Sequence, residues 1–267
     1  MIDIRRFTAF FLFFLLLLPG GLGEEMPPWE YPLAPEILAD PQDYIILTNK
    51  STLLDEEYVP DDLEPVTAKR VVTGELRREA NTALNRMFEA AQEAGYTLYV
   101  KSVYRSYRTQ KTMYYNRLEK LGRDDGMVAF PGSSDHQTGL GVDILNYEWT
   151  KKDGMNEAFG DTAEARWMYD HCQEFGFILR YMEDKEDITG IKYEPWHFRY
   201  VGPEAAVYIM ENHLSLEEFT QEWQAYISSF ESQGGDFSRL LRERARVNGV
   251  TVVDITEDGE EELSIFY

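Results

Sequence analysis

Two stretches constrain this chain more than any others. Residues 133–143 read SSDHQTGLGVD, and residues 193–200 read YEPWHFRY. The first places an imidazole at His136 and a carboxylate at Asp143. The second places a carboxylate at Glu194 and an imidazole at His197, three residues apart. The chain has only four histidines in 267 residues, so two of them in such segments are a concentrated signal. Two neutral imidazoles and one carboxylate make a normal zinc set when the fourth position is left for water. A further carboxylate that stays off the metal can take a proton from that water. Spacing alone leaves this open. A single His is often a polar core residue, and Gly139 and Gly141 can be simple turn residues.

The elements around these stretches alternate between helix and strand. Leu76, Ala80, Ala83, Leu84, Met87 and Ala91 recur at helical spacing, with Thr73 as the expected cap and Gly95 as the stop. Residues 97–103 (TLYVKSV) read as a strand that delivers Tyr104, Arg105 and Ser106 at its end, and a helix over 109–121 follows. Residues 141–145 (GVDIL) read as a buried strand carrying Asp143, and 162–175 as a third helix. Short strands are expected at 45–48, 177–181 and 191–193. Pro195 argues against a helix through the second stretch, so Glu194 and His197 belong to a strand and its immediate end. Helices are expected from Glu204, at 222–230 and at 237–246, with two strands at 250–255 and 263–267 around an Asp258-Gly259 turn. The pattern predicts an α+β fold, a small, mainly antiparallel sheet with packed helices.

Composition decides two further points. A net charge of −22 argues against nucleic acid as a partner, because phosphates require Lys and Arg. Cys172 is the only cysteine, so no internal disulfide forms, and mid-helix it reads as a small buried hydrophobe. At the N-terminus, Arg5 and Arg6 precede an apolar run over 7–18 that Pro19 ends. That run is short for a bilayer span and matches a secretory signal, with cleavage before Glu24. An uncleaved membrane anchor is the other reading. The expected organisation is a signal peptide or anchor (1–23), a Pro-rich acidic linker or arm (24–44), one domain (45–222), and an extension packed on it (223–267).

The segment from Ser134 to Asp143 resembles the SxHxxGxAxD motif of the VanY-type D-alanyl-D-alanine carboxypeptidases, and Glu194-Pro-Trp-His197 matches that family's ExWH motif. The resemblance runs in order from about Leu47 to about Phe219. One departure lies inside the first motif, where Gly141 stands in place of the usual Ala. The resemblance implies the fold shared by zinc D,D-peptidases and the hedgehog amino-terminal domain. It also implies zinc held by His136, Asp143 and His197, with Glu194 as general base and then general acid. A closed, structural zinc site with Glu194 as fourth ligand is the alternative. Arg105, in SVYRSY, is similar to the family arginine that contacts the reacting group. Ser134 and Gln110 match positions near the substrate, and Asp135 is a candidate partner for a ligand imidazole.

The implied reaction is hydrolysis of the terminal D-Ala-D-Ala bond of peptidoglycan stem peptides by an exported, monomeric enzyme. Rivals within the same chemistry are an L,D-carboxypeptidase, a D,D-dipeptidase and an endopeptidase. A rival of another class is a non-catalytic, zinc-holding module that binds the cell wall.

Overall fold

Ala80, Ala83, Leu84, Met87 and Ala91 share one side of a helix, and in the computed structural model all five are buried. The structure describes residues 26–247 and the backbone of 252–255 and 262–265. The expected signal segment and the Asp258-Gly259 turn lie outside the described residues. The helix, α1 (Arg78–Glu93), starts later than its apolar spacing predicts. Thr73 does not cap it. Instead Glu75–Arg77 form a strand, β2, paired antiparallel with β1 (Leu63–Pro65). Backbone groups spent on that ladder cannot open a helix.

α1 packs on a four-stranded antiparallel sheet. Its strands are β3 (Leu98–Ser102), β4 (Gly141–Asn146), β5 (Phe177–Leu179) and β6 (His197–Tyr200), in the order β3-β4-β6-β5. The predicted strand at 191–193 is irregular chain, and so is the one at 45–48. Leu84, Met87, Val100, Val142, Ile144, Phe177 and Phe198 fill the space between helix and sheet. Each such side chain contributes roughly 1.5–3 kcal/mol when fully buried. Cys172 is also fully buried there, and burial pushes its thiol pKa up, which makes it an inert filler.

The other helices of nine or more residues are α2 (Tyr107–Leu121), α3 (Ala163–His171), α4 (Pro203–Glu211), α5 (Leu216–Ser232) and α6 (Phe237–Val247). Ser106 caps α2 by accepting from Thr109 N, and Thr162 caps α3 by accepting from Ala165 N. Residues 172–175 continue α3 only as a 3₁₀ turn, ended by Gly176 at φ 82°. The backbone of β7 (Val252–Ile255) pairs antiparallel with β8 (Glu262–Ile265). A second apolar cluster joins Tyr31, Leu33, Leu38 and Ile45 to α4 and α5, with Phe237 of α6 against its edge. Among the described residues no helix is long and apolar enough to cross a membrane.

Candidate metal centre and active-site cavity

Antiparallel pairing of β4 with β6 sets Asp143 directly across from His197. Directly opposed residues on neighbouring strands present side chains to the same face, close together. His197 Nδ1 lies 2.9 Å from Asp143 Oδ1. His136 enters from a 3₁₀ turn (Asp135–Thr138) just before β4, and its Nε2 lies 3.4 Å from Asp143 Oδ2. That turn ends at Gly139, whose φ of 69° is the left-handed conformation that Gly adopts without strain. The two rings meet edge to face, 4.9 Å between centroids. All three side chains are buried.

The donor set fits a metal ion. One ligand atom from each of His136, Asp143 and His197 lies within 4.8 Å of the others. Ligand atoms on a tetrahedral zinc stand about 3.3 Å apart, given bonds of about 2.0–2.1 Å. The spacings of 2.9 and 3.4 Å bracket that value. His136 Nδ1 and His197 Nε2 are buried without a hydrogen-bond partner among the described residues. His197 Nε2 faces Asp135 Oδ2 at 3.8 Å, longer than a hydrogen bond but close enough for the carboxylate to orient the ring.

The surroundings treat charge differently at each of the three ligand side chains. Burial and then the Arg105 guanidinium push His136 down to about 4. Burial opposes charge on His197 too, but the carboxylates of Asp135 and Asp143 outweigh it and hold that ring up to about 9. Burial also disfavours the Asp143 carboxylate, yet the two imidazoles hold it well below the usual range.

Glu194 stands apart from this set. It precedes β6, and its Oε2 comes no nearer than 3.7 Å to His197 Nδ1. The Glu194 amide donates to Tyr181 O, and its carbonyl accepts from His197 N, which fixes the backbone between the two side chains. Burial pushes Glu194 up to about 8; His197 opposes that rise and Asp143 adds to it. Arg105 follows β3 and is tied to the first motif through its own amide, which donates to His136 O at 3.0 Å. Its guanidinium donates to Gln110 Oε1 and Ser102 Oγ, both at 2.8 Å. Gln110 is fully buried, and its amide nitrogen donates to Ala129 O at 2.7 Å. Both ends of the Gln110 amide are therefore engaged within the protein. Ser134 makes no capping bond to its 3₁₀ turn, and it lines the cavity.

The structure thus brings His136, Asp143, His197, Glu194, Arg105, Gln110 and Ser134 around one cavity of about 260 Å³, with Asp135 buried behind it. A larger cavity of about 560 Å³ is lined by Tyr193, Pro195 and His213, and by neither His136 nor His197. Sequence reading named Asp135 but missed the arginines and the tyrosine that hold the site from behind with it. Asp135 is fully buried; Arg180 Nε donates to it at 2.8 Å, and Arg199 Nη1 donates to its other oxygen. Arg180 also donates to both oxygens of Glu217 at 2.7 Å. Tyr181 packs its ring on His197, 4.9 Å between centroids. The available signal was Arg180 and Arg199 within apolar strand runs (FILRY, HFRY), where a buried guanidinium demands a buried carboxylate.

Comparison with known proteins agrees with this geometry. Residues 73–203 match the model of the VanY family, described as D-alanyl-D-alanine carboxypeptidase. The YodJ protein of Bacillus subtilis, which carries a carboxypeptidase name, is 41% identical over 196 residues, covering 70% of each chain. Among solved structures, the LdcB LD-carboxypeptidase is 41% identical with a TM-score of 0.63, covering 68% of this chain and 87% of that one. A VanY D,D-pentapeptidase from a VanB-type vancomycin-resistance cassette, solved with Zn(II), is 31% identical with a TM-score of 0.54, covering 66% and 98%. With its two motifs converged on one buried centre and this likeness along most of its length, the chain belongs to the VanY family of D-alanyl-D-alanine carboxypeptidases.

Proposed function

We propose that this chain is a zinc-dependent D-alanyl-D-alanine carboxypeptidase that hydrolyses the terminal D-Ala from peptidoglycan stem peptides. The observation that carries this reading is the convergence of three ligand atoms with a fourth, separate carboxylate, Glu194, in the same cavity. Zinc held by His136, Asp143 and His197 supplies Lewis acidity toward water and carbonyl, and a charge that favours the ionised form of Glu194. Glu194 accepts a proton from the attacking water and delivers it to the departing amine, as general base and then general acid. Arg105 is the fixed cation facing the negative charge that develops on the carbonyl oxygen. Gln110 acts through that guanidinium, holding it in place, and so positions rather than touches the substrate. The Ser134 hydroxyl, free of a capping bond, is the donor for the terminal carboxylate of the peptide.

A second reading, L,D-carboxypeptidase activity on the tetrapeptide, is favoured by the likeness to the LdcB structure. We further propose that the enzyme works outside the cytoplasm, as a monomer, with residues 1–23 as an export signal or membrane anchor. The test follows D-Ala release by purified protein of counted zinc content. Its substrates are a stem pentapeptide ending in D-Ala-D-Ala, the matching tetrapeptide and the free dipeptide. Chelator-sensitive release from the pentapeptide is the expected result. Release from the tetrapeptide alone moves the specificity to L,D, and bound zinc with no release from any of them contradicts a carboxypeptidase.

A further inference from the structure

Resting on the zinc reading, we propose that Glu217 is a positioning residue for the metal centre: through Arg180 and Asp135 it aims His197 and keeps the ground behind that ligand electrically neutral. Glu217 belongs to neither motif. It lies in the first turn of α5, which Ser215 caps by accepting from Glu218 N. The positive end of the helix favours a carboxylate there. Asn49 Nδ2 donates to Glu217 Oε1 at 3.2 Å and so fixes the carboxylate from its other side.

Four charges are linked in a chain that ends at the His197 ring. Glu217 accepts from both terminal nitrogens of Arg180 at 2.7 Å. Such fork-to-fork pairing fixes a guanidinium in direction as well as in place. The same guanidinium turns its Nε to Asp135 Oδ2 at 2.8 Å, and that oxygen is the one that faces His197 Nε2 at 3.8 Å. Arg199 Nη1 donates to the other Asp135 oxygen. Arg180, Arg199 and Asp135 are fully buried and the Glu217 side chain is 11% exposed, so salt and water screen these charges little. Burial opposes the charge on Arg180, but Asp135 and then Glu217 outweigh it and hold that guanidinium above its ordinary pKa.

Two guanidinium groups and two carboxylates sum to zero behind a site suited to a dication. Without the Glu217 charge the four groups carry one net positive charge, which repels a metal ion at short range. Arg180 also loses the partner that sets its direction, and Asp135 loses a fixed point from which to face His197. Both effects weaken His197 as a ligand. By reciprocity, the first turn of α5 is held more firmly when metal is bound. A purely structural ion pair would cost stability and leave metal affinity alone.

The experiment measures zinc affinity of the full chain by competition with a chelator of known affinity, alongside stability in urea. Wild type, Glu217→Gln and Trp29→Ala are compared. Trp29→Ala is the control, because it loosens the packing of α5 without touching the four charges. The expected result is a zinc Kd about tenfold higher in Glu217→Gln, the lower end of what loss of a group behind a ligand does. In Trp29→Ala the Kd is unchanged. Hydrogen exchange on the wild type supplies a measurement that needs no variant. The Phe219 amide, which donates to Ser215 O at 3.0 Å, is expected to exchange about tenfold more slowly with zinc than without. The Leu240 amide of α6, which donates to Asp236 O at 2.9 Å, is expected to keep its rate. Equal zinc affinity in wild type and Glu217→Gln, or the same loss in both variants, overturns the positioning role and leaves the zinc reading standing. A Phe219 rate indifferent to zinc does the same. A wild type that binds no zinc overturns both.

Discussion

Asp135 sits where a single atom change reaches furthest. It is fully buried between Arg180 and Arg199, and its second oxygen faces the far side of His197. Burial works against its charge, but the two guanidinium groups outweigh that and hold its carboxyl well below the ordinary value of 3.8. A depressed folded pKa contributes stability that is fully present above 3.8 and erodes as pH falls below it toward the folded value. Asp135→Asn leaves Arg199 buried without a carboxylate and Arg180 with Glu217 alone, an imbalance that costs about 3–5 kcal/mol. Urea denaturation at neutral pH is expected to show that loss, and the gap between wild type and variant is expected to narrow below pH 4. His136, Asp143, Glu194 and His197 were legible in the sequence because their motifs are local and complete. Arg180 and Arg199 were not, because their partners Asp135 and Glu217 lie far away in the chain and only folding brings them together.

The elements that carry the site depend on one turn and one strand register. Gly139 ends the turn bearing His136, and its carbonyl accepts from Arg77 N at 2.9 Å. A Cβ on Gly139 would stand 2.8 Å from Leu63 Cδ2 and 2.9 Å from Arg77 Cγ, on a backbone already at positive φ. Gly139→Ala is therefore expected to cost about 1–3 kcal/mol in a thermal melt and to weaken zinc retention on dialysis, since the turn must shift with its ligand. Strand identity was legible at 98–102 and 141–146 from β-branched and apolar runs. It failed at 45–48 and 191–193 for a physical reason. The Tyr44 and Ile46 carbonyls are taken by Arg199 Nη2 at 3.1 and 2.8 Å, so no neighbouring strand receives them. Around 191–193, the Lys192 amide goes to Gly126 O and the Tyr193 amide to the Glu186 side chain. Hydrophobic alternation cannot announce which acceptor a backbone group will find.

At the scale of the whole molecule, the N-terminal arm is part of the fold that supports the site. Trp29 lies between Tyr226, Phe230 and Phe237, with ring centroids 4.9–5.5 Å away. The arm then reaches the buried arginines, whose guanidinium groups hold its carbonyls at Tyr44, Ile46 and Thr48. We infer that residues 26–44, together with α5 and α6, clamp the catalytic unit rather than form separate domains. Trp29→Ala is expected to lower stability by about 2 kcal/mol in denaturant, less than the about 3–5 kcal/mol of a fully buried Trp, with zinc content unchanged. Composition predicted a linker or arm here because Pro and acidic residues dominate it. The few aromatic residues that pin it carried no periodic signal.

The central claim is that three residues hold the metal and Glu194 does not. Glu194→Gln tests it most directly, with zinc per chain counted after dialysis and D-Ala release measured on the same sample. The expected result is one zinc per chain, as in the wild type, with kcat reduced by about 10²–10⁴-fold, the size of a lost general base. Loss of zinc together with activity would contradict the claim and make Glu194 a ligand.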